Sequence, residues 1–117
     1  MKEVIKMKII LVALIFNGLD IVTGIVGALR EGEQIKSNKL RDGLFKKVGF
    51  IFCYTLGIAI NYAETYLTLP FDVDLVPVIC TYAIITEVVS IIENISKINS
   101  DILPDKLKEL IGYKEGE

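Results

Sequence analysis

Three long apolar stretches dominate the pattern of hydrophobic and polar positions along the chain. They cover residues 9–29, 48–69 and 75–92, and each contains a single charged residue. A helix needs about 20 apolar residues to cross the hydrocarbon core of a bilayer, so each stretch is long enough to span it. The pattern predicts an all-α integral membrane protein with three transmembrane helices, in one membrane domain over residues 1–117.

Charged residues are concentrated between and beyond these stretches, in the first ten residues, in residues 30–47 and in a tail over residues 93–117. A soluble helical bundle would carry charge along one face of every helix, so this distribution disfavours a soluble protein. The net charge of −2 and the absence of a basic domain give no indication of a nucleic-acid partner. The lipid bilayer is the partner that the composition predicts.

The residue types that carry most enzyme chemistry are scarce. There is no histidine, and Cys53 and Cys80 both lie in predicted spans, where a thiol behaves as a small apolar group. No phosphate-binding glycine loop, zinc motif or nucleophile motif occurs. We therefore predict no catalytic residues, no cofactor and no metal ligands, and we expect that the protein is not an enzyme.

The first apolar stretch also has features of a secretory signal peptide. It follows Lys2, Lys6 and Lys8, and the small residues Val26, Gly27 and Ala28 resemble a cleavage site. The stretch is nevertheless long enough to span, and Asp20 interrupts it at an unusual place for a signal. We expect that it remains part of the protein.

Basic residues predict the orientation of the spans. The connection over residues 30–47 carries six, the tail carries four, and the connection over residues 70–74 carries none. Because basic residues favour the cytoplasmic side, we expect the first connection, including Ser37, and the C-terminus inside, and Asp72 outside.

Three complete spans would then place the N-terminus outside, together with its three lysines. An alternative removes this conflict: the first stretch enters the membrane and returns as a re-entrant hairpin that bends near Asn17 and Gly18. All basic residues would then lie inside, although non-helical backbone at that depth needs shielding by protein or water. We prefer three spans and keep the hairpin as the alternative.

Short helices are predicted at two places outside the spans. Ser37 and Asn38 are suited to cap a helix that leads into the second span. In the tail, Pro104 suits the first turn of a short amphipathic helix at the inner membrane surface, with Leu107, Leu110 and Ile111 on its apolar face. A frayed, solvated tail is the alternative.

Small and polar residues recur every three or four positions in each span. Such faces mark contacts between helices in lipid, where the hydrophobic effect does not drive association. They indicate self-association, with a single-chain bundle as the alternative. The residues are Asn17, Asp20, Gly24, Gly27 and Ala28 in the first span, Gly49, Cys53, Gly57, Asn61 and the nearby Glu64 in the second, and Cys80, Ala83, Glu87, Ser90 and Asn94 in the third.

Two of the acidic residues, Asp20 and Glu87, are expected near the middle of the bilayer. A charge there costs about 2.5–3.5 kcal/mol on insertion scales and indicates a functional role. The predicted spans contain no lysine or arginine to pair with these carboxyls. We therefore expect neutral, hydrogen-bonded carboxyls or carboxylates in contact with water, rather than an internal salt bridge. Glu64, near the outer end of its span, is weaker evidence.

The same residues resemble the signatures of a known family, the phage lysis and toxin-secretion holins. Asp20, Thr23 and Gly24, followed by Ala28, Ser37, Gly43 and Lys46-Lys47, are similar to its first signature. Glu87, Ser90, Glu93 and Asn94 are similar to its second, which also precedes a proline-containing amphipathic tail. The resemblance covers about residues 9–111. The sequence departs from the pattern at residues 97–100, where the family often has a glycine.

The resemblance implies a multi-pass protein of the bacterial cytoplasmic membrane that assembles into homo-oligomers. Such proteins open large, non-selective lesions, which release an endolysin or a toxin and collapse the proton gradient. A small oligomeric ion or proton channel, a transporter subunit, and an antiholin that associates without opening remain alternatives. The candidate residues for helix association or pore lining are Asp20, Thr23, Gly24, Ala28, Gly49, Gly57, Asn61, Glu64, Glu87, Ser90, Glu93 and Asn94.

Overall fold

The structure, a computed structural model, describes residues 2–32, 37–70 and 74–110. Every regular element in these ranges is a helix: α1 (Lys2–Arg30), α2 (Ser37–Glu64), α3 (Leu75–Asn99) and α4 (Asp105–Leu110), with a 3-10 turn over Ser100–Ile102 before α4. The predicted all-α class and the short C-terminal helix are confirmed. Asp72 and Ile111, which the sequence predictions also used, lie outside the described residues.

Three helices are long and apolar enough to cross a membrane, over Glu3–Arg30, Leu40–Glu64 and Leu75–Ile102. The first of them runs without a break through Asn17 and Gly18, so the alternative of a re-entrant hairpin is wrong. A single glycine in a helix interior costs only about 1 kcal/mol relative to alanine, which the apolar turns on either side outweigh. Three full spans are the arrangement found.

The predicted limits of the second span are displaced along the chain. The span was predicted over residues 48–69, whereas α2 begins at Ser37 and ends at Glu64. Its last turn closes where the amides of Tyr66 and Leu67 both donate to the Ala63 carbonyl, at 3.0 and 2.9 Å. The helix predicted to lead into this span from Ser37 and Asn38 is confirmed, but the basic residues that were used as the start of the span lie inside the helix.

The third span is also longer than predicted. It was predicted to end at Ile92, but α3 continues to Asn99. Glu93 and Asn94 therefore belong to the bundle and not to the tail.

The three long helices alternate in direction, and α1 and α3 are parallel. Lys6 lies 3.1 Å from Asp74 at one end of this pair, and further along Asn17 bonds Glu87 at 3.1 Å. The intervening helix α2 runs antiparallel to both and packs more against α3 than against α1. The N-terminal end of α1 therefore lies at the same end of the bundle as the connection over residues 70–74.

The core lies where the three helices face each other, and most large apolar side chains elsewhere on the spans are exposed. Exposed apolar faces suit a lipid environment, which solvates them as well as a protein interior does. Within the core, Phe50 makes an edge contact with Tyr82 at a centroid distance of 6.2 Å. The buried cluster comprises Ile10, Ala13, Phe50, Tyr54, Val76, Cys80 and Ala83.

Gly57 marks the closest approach of α2 to α3. A Cβ atom at this position would lie 2.8 Å from Cγ2 of Val76 and 3.4 Å from its backbone nitrogen. Gly49 lies on the same helix but faces open space, since a Cβ there would meet nothing within 4 Å. The two glycines therefore form a matched pair for testing the contact.

We expect Gly57→Ala to destabilise the bundle relative to Gly49→Ala by about 1–3 kcal/mol, the usual cost of overpacking. Both variants gain the same helix propensity, so the difference reports the contact with Val76. This difference in stability is measured by denaturant titration of the purified variants in micelles, with circular dichroism as the signal for unfolding. Equal stabilities would show that α2 does not approach α3 at this point.

Candidate functional site

Each of the three long helices contributes one charged side chain to a common buried cluster. Lys47 of α2 places its Nζ 2.8 Å from Oδ2 of Asp20 on α1 and 3.0 Å from Oε2 of Glu87 on α3. The side chains of Lys47, Asp20 and Glu87 are 8%, 17% and 0% exposed. We call these three residues the ion cluster.

The register of the helices explains why these charges meet. Lys47 lies ten residues after the start of α2 at Ser37, and Asp20 lies ten residues before the end of α1 at Arg30. At 1.5 Å per residue, both are about 15 Å from the same end of the bundle. A short connection between antiparallel helices therefore brings them to the same depth, and the parallel helix α3 supplies Glu87.

Neutral polar side chains extend the ion cluster towards the N-terminal end of α1. The Asn17 amide donates from Nδ2 to Oε2 of Glu87 at 3.1 Å, and its Oδ1 accepts from the Tyr54 hydroxyl at 3.0 Å. Asn17 and Tyr54 are 5% and 2% exposed. Buried polar groups need hydrogen-bond partners, because leaving such a group unpaired destabilises the fold by more than a typical hydrogen bond stabilises it.

On the other side, Asn94 joins α3 to α1. Its Nδ2 donates to Oδ1 of Asp20 at 3.0 Å and to Oγ1 of Thr23 at 3.1 Å. Small residues on α1 make room for it: a Cβ at Gly24 would lie 3.5 Å from Nδ2 of Asn94, and one at Gly27 only 3.2 Å from its carbonyl oxygen. The glycines predicted to mark a contact face therefore mark the contact between α1 and α3.

Two buried polar atoms in the described part of the chain have no hydrogen-bond partner. They are Oε1 of Glu87 and Nδ2 of Asn61. Native structures leave few such groups unpaired. The first of them belongs to the ion cluster.

The structure brings together five of the predicted site residues: Asp20, Thr23, Gly24, Glu87 and Asn94. Gly57 contacts α3 elsewhere, whereas Ala28, Asn61 and Ser90 are half-buried. The remaining three, Gly49, Glu64 and Glu93, are exposed. The faces on α1 and α3 thus meet within one chain, as in the single-chain alternative. Whether any of these residues also joins different chains stays a prediction.

The expectation that Asp20 and Glu87 have no cation within reach is wrong, because Lys47 pairs with both. The predicted start of the second span at residue 48 had placed Lys47 in the connection. Inside the helix, its long side chain reaches the two carboxylates, which offset the cost of burying the ammonium.

Sequence reasoning identified only part of the buried face of α2, namely Gly57 and Asn61. Gly49 and Cys53 were assigned to a contact face, but both are exposed. The buried face also follows intervals of three and four, and it begins one residue before the predicted span. Its members are Lys47, Phe50, Tyr54, Gly57 and the half-buried Asn61. Counting back from Asn61 and Gly57 in alternating steps of four and three leads to Tyr54, Phe50 and Lys47.

The chemistry available to this site is that of charge and protons. Among the described residues, no group of histidine, cysteine, aspartate or glutamate side chains could hold a metal ion. The ion cluster joins three helices through groups that can gain or lose a proton. Intramembrane ionisable groups of this type mark functional positions in membrane proteins.

We expect Lys47→Met to destabilise the bundle by about 3–5 kcal/mol, because it removes the ammonium that the buried carboxyl groups of Asp20 and Glu87 share. Lys46→Met is the matched control: Lys46 is exposed, and its replacement removes the same charge from the neighbouring position of α2. We expect that control to stay within about 0.5 kcal/mol of the unmodified protein. Denaturant titration in micelles measures the free energy of unfolding of both variants. Equal losses of stability would contradict the ion cluster.

Comparison with known proteins agrees with this geometry. The chain matches the family model of the bacteriophage holin family over residues 4–115, which is nearly its whole length. Comparison with curated proteins and with solved structures finds no match. The match includes the three membrane-spanning helices, the ion cluster and the short C-terminal helix. The chain is a membrane protein that belongs to the bacteriophage holin family.

Proposed function

We propose that the protein is a holin of the bacterial cytoplasmic membrane. It self-associates there and opens large, non-selective lesions, which release a cell-wall hydrolase or a toxin and collapse the proton gradient. The family match over residues 4–115 supports this role. Because the proposed role is to permeabilise a membrane, we expect no enzymatic activity and no cofactor.

The observation that carries the proposal is the position of the polar residues. All three helices keep charged or amide side chains on their inner faces, while large apolar side chains cover most of the outside. A chain of this kind is compatible with lipid as a closed bundle. If the helices separate, the same inner faces can line an aqueous lesion formed by many copies.

The helix directions and the basic residues support an orientation with the N-terminus outside. Because α1 and α3 are parallel, the N-terminus lies on the side of the connection over residues 70–74, opposite the basic connection between α1 and α2. The positive-inside rule then places the N-terminus outside and the tail inside. Lys6 is one of the three lysines that this arrangement leaves outside. Its ammonium lies 3.1 Å from the Asp74 carboxylate in a partly exposed pair, which offsets its positive charge.

The central test is inducible expression together with a cell-wall hydrolase that lacks an export signal of its own. We expect rapid lysis when both proteins are present, and loss of membrane potential without rapid lysis when the holin is expressed alone. Hydrolase alone is the control. Loss of potential without release of the hydrolase would contradict the proposal and indicate a selective channel. No loss of potential would indicate an antiholin.

The orientation has its own test, which uses single cysteines at positions 2, 37 and 72 in a background that lacks Cys53 and Cys80. An impermeant thiol reagent applied to intact cells before the membrane potential is lost should label positions 2 and 72 but not position 37. Disrupted cells supply the control, since all three positions should then react. Labelling of position 37 in intact cells would reverse the orientation.

A further inference from the structure

The ion cluster is not electrically balanced. Within salt-bridge distance, the described residues supply one ammonium, that of Lys47, for the two carboxylates of Asp20 and Glu87. With all three groups ionised, the cluster carries a net charge of −1. An unbalanced charge in a membrane interior is costly, and a site of this kind relieves it by binding one positive charge.

The two carboxyls differ in how well their oxygen atoms are satisfied. Asp20 accepts from Asn94 on Oδ1 and from Lys47 on Oδ2, and its side chain is 17% exposed. Glu87 is completely buried, and Asn17 and Lys47 both donate to the same oxygen, Oε2. Its other oxygen, Oε1, is buried and accepts from no group in the described part of the chain.

We propose that the closed bundle binds one proton on the carboxyl group of Glu87. The proton comes from the aqueous phase and forms a bond with Oε1, which converts the carboxylate to a neutral carboxylic acid. Oε2 keeps its contacts with Asn17 and Lys47, while Lys47 remains the counterion of Asp20. The cluster then holds one positive and one negative charge, and its net charge is zero.

The other titratable groups near Glu87 do not supply this balance. They are Asp20 from α1, Lys47 and Tyr54 from α2, and Cys80, which lies about two turns away on α3 itself. Tyrosine and cysteine side chains are ordinarily neutral near pH 7 and add no positive charge. The excess proton is therefore a consequence of having two carboxyls for one lysine.

Proton binding has a consequence for opening, which rests on the proposed function. A glutamate exposed to water is ionised above about pH 4.3, so opening the bundle to water would release the proton. When one state binds a proton that the other does not, their ratio changes by about tenfold per pH unit. Acid then favours the closed bundle, and alkaline conditions favour opening.

The binding claim is tested without any lesion, by infrared spectroscopy of the purified protein in lipid vesicles at neutral pH. Carbon-13 labelling of glutamate identifies a glutamic-acid carbonyl band by its shift. We expect one such band in the unmodified protein and none in Glu87→Gln. Glu109→Gln, which changes an exposed glutamate of α4, should keep the band. Absence of the band from the unmodified protein would overturn the proposal.

Asp20→Asn tests whether the excess of carboxyl groups over lysine is the reason that Glu87 binds a proton. It leaves one lysine for one carboxylate, so the cluster is already neutral and Glu87 should lose its proton and its band. Lys47→Met should have the opposite effect and add a protonated aspartate, which labelling of aspartate detects. Survival of the glutamic-acid band in Asp20→Asn would show that burial alone holds the proton, and the charge-balance proposal would fail. Circular dichroism confirms that each variant is helical.

The functional arm measures release of a folded protein from vesicles as a function of pH. The extent of opening should rise by up to tenfold per pH unit in the unmodified protein and be independent of pH in Glu87→Gln. A flat profile in the unmodified protein would overturn the coupling between proton release and opening. Absence of release at every pH would contradict the proposed function instead, while the infrared result still decides whether the site binds a proton.

Discussion

One ammonium group between two carboxylates, in a part of the molecule enclosed by helices and lipid, determines how this chain packs. Each charge alone would cost about 2.5–3.5 kcal/mol at the centre of a membrane helix. Lys47 lies within 3.0 Å of a carboxylate on each of the other two helices, so the three groups stabilise one another only when all three helices are in register. Apolar packing alone would allow more than one alignment, because lipid does not favour one apolar contact over another.

The other interhelical contacts follow from that register. Asn17 and Tyr54 continue the hydrogen bonds on one side of the cluster, and Asn94 does so on the other. Gly24 leaves the space that the Asn94 side chain occupies. The polar groups are thereby kept inside, so the exterior presents mainly apolar side chains to lipid. In the function that we propose, this closed bundle is the resting form, and its inner faces are the surface that lines the lesion after opening.

The number of long helices could be predicted because bilayer thickness sets a minimum length for an apolar span. The limits of the second and third helices could not, because α2 and α3 continue through charged residues. The contact faces of α1 and α3 were also visible, since Asp20, Gly24, Glu87 and Asn94 follow helical intervals. The sequence assigned these faces to self-association, and only the structure pairs them within one chain. Lys47 was missed because the second span was predicted from its apolar run and therefore began at residue 48. A span defined in this way excludes a lysine that lies inside the bundle next to the run. Its partners sit on other helices, 27 and 40 residues away in the sequence, and only the register of the folded bundle brings them together. The exposure of Gly49 and Glu64 likewise depends on how α2 is rotated, which residue spacing alone left open.

The most direct test of the ion cluster is a solid-state NMR distance measurement in lipid bilayers. The chain is labelled with nitrogen-15 in the lysine side chains and carbon-13 in the aspartate and glutamate carboxyls, and Lys47→Met assigns the signal. We expect dipolar coupling from Lys47 Nζ to one aspartate carboxyl and one glutamate carboxyl, since it lies 2.8 and 3.0 Å from their oxygen atoms. The couplings should disappear when nitrogen and carbon labels are placed on different chains and mixed. A Lys47 ammonium coupled to neither carboxyl, or coupled only between chains, would contradict the single-chain bundle.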